Sequence, residues 1–222
     1  MIKHEEEMLK IIQVLSQSNL LENCIITGSW AMYFYKFIFE EFIPPIATTD
    51  FDIFLPNSKK ISSNVFLTRI IDLDYVRSDD FISGKTKFYS KEGFEIEFLT
   101  LPNRTMQNVV RLQGLNVGAE ALPKMLPITW NAISVDYHGF TINIPSPASF
   151  CLQKLLINNE RSAAKKEKDI DAIKYMMPFI IKSHKYSDEF LKTLDNAPKK
   201  WKKEIMQNII KNNIEIPEKN ER

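Results

Sequence analysis

The sequence CIITGSWAMYFY, residues 24–35, places its smallest residues at the junction between two apolar runs. The part before Thr27 has the composition of a short buried strand, and the part from Trp30 onward is apolar on nearly every side, as in a core helix. Gly28 and Ser29 lie between them. Glycine lets the backbone approach another group closely, and serine often starts a helix. The stretch therefore predicts a strand, a tight turn with open space, and a helix.

The composition is that of a globular chain with a substantial core. Of its 222 residues, 44% are hydrophobic and 26% are charged. No apolar run reaches the roughly 18 residues of a membrane span, and the acidic start MIKHEEEMLK is unlike a secretory signal. Cys24 and Cys151 stand in apolar stretches without metal spacing, which is typical of buried free thiols in a reducing compartment. We expect a cytoplasmic protein without membrane contact.

Hydrophobic periodicity predicts an α/β domain followed by helices. The expected elements are helices over 5–17, 30–42 and 65–73, a strand over 51–55, and two hairpins that turn at 91–93 and at 138–139. Pro145 and Pro147 then precede a run of helices. The predicted domains are residues 1–145, of α/β type, and residues 146–222, a C-terminal helical domain.

Charge is distributed unevenly along the chain, although the net formal charge is only +1. Residues 146–222 contain 16 basic and 11 acidic residues, whereas residues 1–145 contain 13 basic and 17 acidic residues. The basic excess permits an anionic partner such as RNA or nucleotide phosphate, and an ordinary solvated helical surface explains it equally well. The basic stretch APKKWKKEIMQNIIKNN, residues 197–213, leaves the same two alternatives.

Two acidic pairs have the spacing of side chains on one face of a strand. Asp50 and Asp52 begin the strand in TTDFDIFL, and Glu95 and Glu97 alternate with apolar residues in FEIEFL. Residues two apart in a strand project the same way, about 7 Å from each other. Such carboxylates repel one another unless a cation neutralises them, and their oxygens suit Mg²⁺ or Mn²⁺. A solvated turn and a half-exposed strand are the alternatives for each pair taken alone.

In their order along the chain, these features resemble the nucleotidyltransferase superfamily to which polymerase beta belongs. Its pattern is an apolar residue, Gly with Gly or Ser, a spacer, Asp-x-Asp or Asp-x-Glu between apolar neighbours, and a later third carboxylate. The matching positions are Ile26, Thr27, Gly28, Ser29, Asp50, Phe51, Asp52, Ile53 and Glu97. The resemblance implies a mixed β-sheet flanked by helices and transfer of a nucleoside monophosphate from a nucleoside triphosphate such as ATP, with release of pyrophosphate.

The resemblance also implies roles for individual residues. Gly28 and Ser29 would hold the triphosphate, since a glycine leaves room and a helix start offers N–H groups to an anion. The catalytic residues, which would also be the ligands of Mg²⁺ or Mn²⁺, are Asp50, Asp52 and Glu97.

Two features depart from the family pattern. The spacer from Trp30 to Thr49 contains 20 residues, more than is usual there, which predicts a lengthened helix or an extra loop around Pro44 and Pro45. The third acid is Glu where Asp is commoner. Glu97 fits the apolar-acid-apolar-Leu form, and Glu95 is the alternative if the strand is shifted by two residues.

The helical tail has a looser resemblance to bacterial abortive-infection and toxin–antitoxin nucleotidyltransferases. In these enzymes a Lys, an Arg and a Lys-Asp pair on successive helices close over the nucleotide. The matching positions are Lys154, Arg161, Lys168 and Asp169. Surface charges that pair within helices are the alternative. Lys85 and Lys87, beside the acidic strand, are further predicted phosphate ligands.

The sequence thus leads to the hypothesis of a metal-dependent nucleotidyltransferase. Its acceptor would be a hydroxyl of RNA, in particular a tRNA end, or of a protein, and less readily a small molecule such as an aminoglycoside. A toxin of a toxin–antitoxin or phage-defence system, silenced by an antitoxin partner, follows from the same resemblance. The alternative is a catalytically degenerate member that binds a nucleotide or a partner. The intact acidic residues argue against that alternative, and the long spacer argues for it.

Overall fold

The computed structural model describes residues 4–45, 48–56, 65–104 and 106–218. By its tertiary contacts the chain divides into two compact units. The first comprises Met1–Pro123 and Ile133–Ile144, and the second comprises Lys124–Ala132 and Pro145–Arg222. The domain boundary between residues 145 and 146 stays a prediction, and the short segment Lys124–Ala132, which precedes it, groups with the second unit.

A mixed sheet forms the centre of the first unit. Within the described residues its seven strands are β1 (Ile25–Ile26), β2 (Asp50–Leu55), β3 (Val76–Asp79), β4 (Thr86–Tyr89), β5 (Glu95–Thr100), β6 (Val109–Leu112) and β7 (Val117–Ala121). β5 is central, because it pairs in parallel with β2 and β7 and antiparallel with β4. The antiparallel pairs are β1 with β2, β3 with β4, and β6 with β7. Together with its helices, this sheet confirms the predicted α/β class.

Among the described residues, the first unit also contains three α-helices and nearly all of a hairpin. They are α1 (Glu5–Gln17), α2 (Gly28–Phe34), α3 (Val65–Asp72) and the strands β8 (Ala132–Tyr137) and β9 (Phe140–Pro145). α1 buries the apolar face that its periodicity predicts, including Met8 and Leu15. The hairpin turns at His138 and Gly139, whose φ angles are 48° and 80°.

The helix expected from Trp30 to Phe42 is shorter in the structure. α2 ends at Phe34, and a single 3₁₀ turn, Tyr35–Phe37, follows it. Aromatic residues lose side-chain freedom in a helix, which disfavours a longer helix in this aromatic-rich run. The rest of the run is irregular chain, in which Phe42 packs against Tyr35 with ring centroids 6.2 Å apart. The long spacer is therefore accommodated by a loop and not by a longer helix.

The second unit is helical. Its helices are α4 (Leu126–Trp130), α5 (Pro147–Ile157), α6 (Ala163–Lys182), α7 (His184–Asn196) and α8 (Lys199–Lys211). α5 lies at its centre, in contact with the other four helices and buried on almost every side. Its first turn is capped by Ser146, whose side chain accepts a hydrogen bond from the Ser149 backbone N–H at 3.1 Å.

Both cysteines, Cys24 and Cys151, are buried free thiols. Among the described helices, none combines the length and the apolarity that a membrane crossing needs.

Candidate active site

The parallel pairing of β2 with β5 places the two acidic pairs side by side. Asp50 lies opposite Glu95, and Asp52 lies opposite Glu97. The intervening residues, such as Phe51, are fully buried. Because strand side chains alternate between faces, the four carboxylates project from the opposite face of the sheet. Asp52 and Glu97, which come from separate parts of the chain, are therefore neighbours on the same face.

Gly28 lies directly against the Asp52 carboxylate. Its φ of +63° belongs to the left-handed region that glycine enters readily. A Cβ atom at this position would be 2.1 Å from Oδ2 of Asp52, so any side chain would displace the carboxylate. The backbone N–H of Thr27 also donates to the carbonyl oxygen of Asp52 at 3.1 Å. The turn between β1 and α2 is thus fixed to the acidic strand, and the half-buried Ser29 follows it.

Lys87 on β4 lies between the two glutamates of β5. Its Nζ is 2.5 Å from Oε1 of Glu95 and 3.1 Å from Oε1 of Glu97. Burial lowers the pKa of Lys87, but the hydrogen bond to Glu95 and the charge of Glu97 outweigh burial and raise this pKa above its ordinary value. Lys87 is therefore a cation at neutral pH. This acidic face, defined by the two Asp–Glu pairs of β2 and β5, carries four carboxylates, and Lys87 places an ammonium group against two of them.

The donor chemistry of the acidic face fits a divalent cation. Carboxylate oxygens are the ligands that Mg²⁺ and Mn²⁺ prefer, and this face presents four carboxylates. Because Gly28 has no side chain, the Asp52 carboxylate has space beside it. Across the described part of the chain, no three His, Cys, Asp or Glu side chains are already grouped as metal ligands. The glutamates are instead held by Lys87.

The other lysine predicted to bind phosphate points to a different acid. Lys85 precedes β4, and its Nζ is 2.6 Å from Oε2 of Glu120 on β7.

The sequence analysis did not single out Tyr89, a residue of β4 that lies opposite Glu95 of β5. Burial, followed by the charge of Glu95, raises the pKa of the Tyr89 hydroxyl. The alternation of side chains in KTKFY could have indicated Tyr89, because it puts Tyr89 on the same face of the strand as Lys87.

In the second unit, three of the four predicted nucleotide ligands form one ion-pair cluster. The Asp169 side chain is 3% exposed and accepts hydrogen bonds from Nζ of Lys154 and, at 3.2 Å, from Nε of Arg161. These contacts join α5, the following turn and α6. Lys168 is exposed and lies outside the cluster. The ion pairs are the arrangement expected of a structural cluster, and a role in nucleotide binding stays a prediction for all four residues.

A cavity of about 800 Å³ opens elsewhere in the second unit. It is lined by residues of α4 and α7, including Trp130 and Glu189, and by none of the predicted site residues. Burial raises the pKa of the Glu189 carboxyl, although a hydrogen bond from Ser146 opposes the shift. The cavity wall therefore includes an acid whose pKa lies above its ordinary value.

Comparison with known proteins gives one family match and several similar folds. A family model described as nucleotidyltransferase matches residues 6–194. No characterised protein matches by sequence. The crystal structure of an antigenic nucleotidyltransferase-like protein from Paracoccidioides brasiliensis is similar with a TM-score of 0.56 and 14% identity, over 98% of this chain and 96% of that chain. This likeness shows a shared fold.

Two further solved structures are more distant. The solution structure of the antibiotic-resistance factor ANT(2'')-Ia has a TM-score of 0.48 and 10% identity, over 88% of this chain and 93% of that chain. The crystal structure of ANT(2'')-Ia in complex with adenylyl-2''-tobramycin has the same TM-score and identity, over 86% of this chain and 96% of that chain.

Proposed function

This chain belongs to the nucleotidyltransferase family, and we propose that it transfers a nucleoside monophosphate from a nucleoside triphosphate such as ATP to an acceptor hydroxyl, with release of pyrophosphate. The observation that carries the proposal is the register that sets Asp52 beside Glu97 on the face that meets Gly28. Phosphoryl transfer uses metal ions beside the phosphates, and this arrangement supplies carboxylates that would hold them next to a tight turn.

We assign the metal ligands to Asp50, Asp52 and Glu97. When bound, Mg²⁺ or Mn²⁺ would offset charge on the phosphoryl oxygens and lower the pKa of the attacking hydroxyl. Glu97 is chosen over Glu95 because it lies opposite Asp52 and because Lys87 is nearer to Glu95, at 2.5 Å against 3.1 Å. A carboxylate at Glu97 would also accept the proton of the attacking hydroxyl.

The remaining substrate contacts rest on the resemblance. Gly28 and Ser29 would contact the triphosphate. Lys154, Arg161, Lys168 and Asp169 are likewise proposed as nucleotide ligands. The lysines at 85 and 87 would reach phosphate only by leaving the carboxylates that they contact in the structure.

The acceptor is proposed to be RNA, including a tRNA end, with a protein hydroxyl as the alternative. The support for RNA is the basic start of α8, where Lys199 and Lys200 are exposed. A toxin or phage-defence role, an antitoxin partner and a cytoplasmic location also belong to this proposal. They rest on the resemblance of the tail and, for the location, on the two free thiols.

Melting in the presence of nucleotide and Mg²⁺ tests the triphosphate site. We expect a Mg²⁺-dependent stabilisation by nucleotide that disappears in Asp52→Asn and persists in Asp72→Asn, the same change at an exposed position of α3. Transfer of label from ATP, CTP, GTP or UTP to total RNA or lysate protein then tests turnover. Equal stabilisation of both variants would place the nucleotide elsewhere.

A catalytically degenerate nucleotide-binding module is the second candidate function. The observation that favours it is the pairing of Lys87 with both glutamates, which occupies carboxylates that the reaction would use. Nucleotide binding without a labelled product from any acceptor would select this alternative.

A further inference from the structure

We propose that Lys87 is an internal counter-ion that competes with the divalent cation for Glu97 while Glu95 anchors it. The inference rests on the proposed function, because it concerns how the same acidic face accepts its metal. It goes beyond that function by giving Lys87 a role in setting metal affinity, in addition to any contact with phosphate.

The first support is the charge of the acidic face. Like charges on neighbouring strands repel one another, and here two acidic pairs lie in register on adjacent strands. The ammonium group of Lys87 contacts both glutamates and reduces this repulsion in the metal-free protein. A divalent cation would perform the same neutralisation, so the two cations are alternatives for Glu97.

The second support is that the backbone of β4 is tied down around Lys87. Thr86 is buried, and its hydroxyl donates to Oδ1 of Asp79 at 2.6 Å and accepts from the Gly118 backbone N–H at 2.9 Å. On the other side, Phe88 is fully buried. Because the strand is held on both sides, the exchange requires only a movement of the lysine side chain.

The third support is the asymmetry between the two glutamates. Lys87 lies opposite Glu97 in the strand register, yet its Nζ is closer to Glu95, at 2.5 Å against 3.1 Å. Glu97 in turn lies beside Asp52, whose position is limited by Gly28. Glu97 is therefore the carboxylate placed to change partners. Lys87 keeps Glu95 as its anchor throughout the exchange.

The test is direct binding of Mn²⁺, without nucleotide, to the wild type, Lys87→Met and Lys87→Arg. We expect Lys87→Met to bind Mn²⁺ about tenfold more tightly, the order of effect of removing a unit charge about 5 Å from a divalent ion in a solvated site. Lys87→Arg keeps the charge and should stay within about twofold of the wild type. Lys91→Met is the matched control, since Lys91 pairs only with the exposed Asp74 among the contacts described, at 3.0 Å.

A second measurement needs no metal. In EDTA, Lys87→Met should melt at a lower temperature than the wild type at neutral pH, because Glu95 and Glu97 then lose the ammonium group that contacts both of them. Lys91→Met should melt near the wild type. Saturating Mn²⁺ should raise the melting temperature of Lys87→Met more than that of the wild type.

The outcomes separate this inference from the proposed function. Unchanged or weaker Mn²⁺ binding in Lys87→Met, together with loss of binding in Asp52→Asn, overturns the counter-ion and leaves the metal site standing. Binding that is insensitive to Asp52→Asn, or absent from both the wild type and Lys87→Met, overturns the metal site and the counter-ion together.

Discussion

Gly28 decides whether the turn before α2 can lie against the acidic strand. We predict that Gly28→Ala is destabilising, because its φ of +63° strains any other residue by about 1 kcal/mol and because the new Cβ would be 2.1 Å from an Asp52 oxygen. Displacing Asp52 should also abolish the nucleotide-dependent melting shift. Urea unfolding and melting with nucleotide and Mg²⁺ measure both effects.

Gly93 provides the matched control at the same scale. It also has a positive φ, of 79°, but a Cβ there would meet no atom within 4 Å. Gly93→Ala should therefore lose about 1 kcal/mol through backbone strain and keep its nucleotide response. If both alanine variants keep that response, the contact of Gly28 with Asp52 has no functional consequence.

At the scale of elements, Glu189 joins α7 to the start of α5 and makes the stability of that junction depend on pH. Burial raises the pKa of its carboxyl above the ordinary 4.5, and the Ser146 hydroxyl donates a hydrogen bond to it. A raised pKa means that the folded state binds the proton more tightly. The stabilisation from protonated Glu189 is therefore complete below pH 4.5, and it is lost as the pH rises through the raised pKa of Glu189.

We predict that Glu189→Gln removes the loss of stability that accompanies ionisation of Glu189. The difference in unfolding free energy between the wild type and Glu189→Gln should change in favour of the variant as the pH rises from about 4.5 to 7. Urea unfolding at several pH values measures it, with Glu167→Gln as the control at an exposed position of α6. Parallel profiles for the wild type and Glu189→Gln would contradict the prediction.

At the scale of the whole molecule, the segment Lys124–Ala132 ends at the first residue of the last hairpin and belongs to the helical unit. Lys124 makes ion pairs of 2.7 and 2.5 Å with Glu160 and Glu204, and the Trp130 ring stacks on Trp201 with centroids 5.9 Å apart. A fragment that starts after the predicted boundary would lose these contacts and expose part of α5.

We therefore expect fragment 146–222 to be markedly less stable than fragment 124–222, which keeps the contacts of Lys124 and Trp130. Thermal unfolding followed by circular dichroism distinguishes them, and amide exchange in α5 reports the loss of its cover. Equal stability of the two fragments would show that α4 adds little to the helical unit.

Strands with little strand propensity of their own were the least predictable elements. β3 is mostly exposed and polar, and β7 has buried Gly118 and Ala119 in place of β-branched residues. Their residues carry little strand propensity, so it is pairing with β4 and β5 that makes them strands. By contrast, α1 and β2 lie close to where their apolar patterns predict them, because those apolar residues are buried.

The amino-acid sequence by itself determined the local features: the glycine at the turn, the alternation that puts each acidic pair on one face, and the helical tail. These depend on neighbouring residues, whose periodicity is visible in the chain. Only the tertiary structure decided that Asp52 lies beside Glu97, that Gly28 makes room for Asp52, and that Lys87 contacts both glutamates. Those contacts depend on the register between distant strands, which no local pattern specifies.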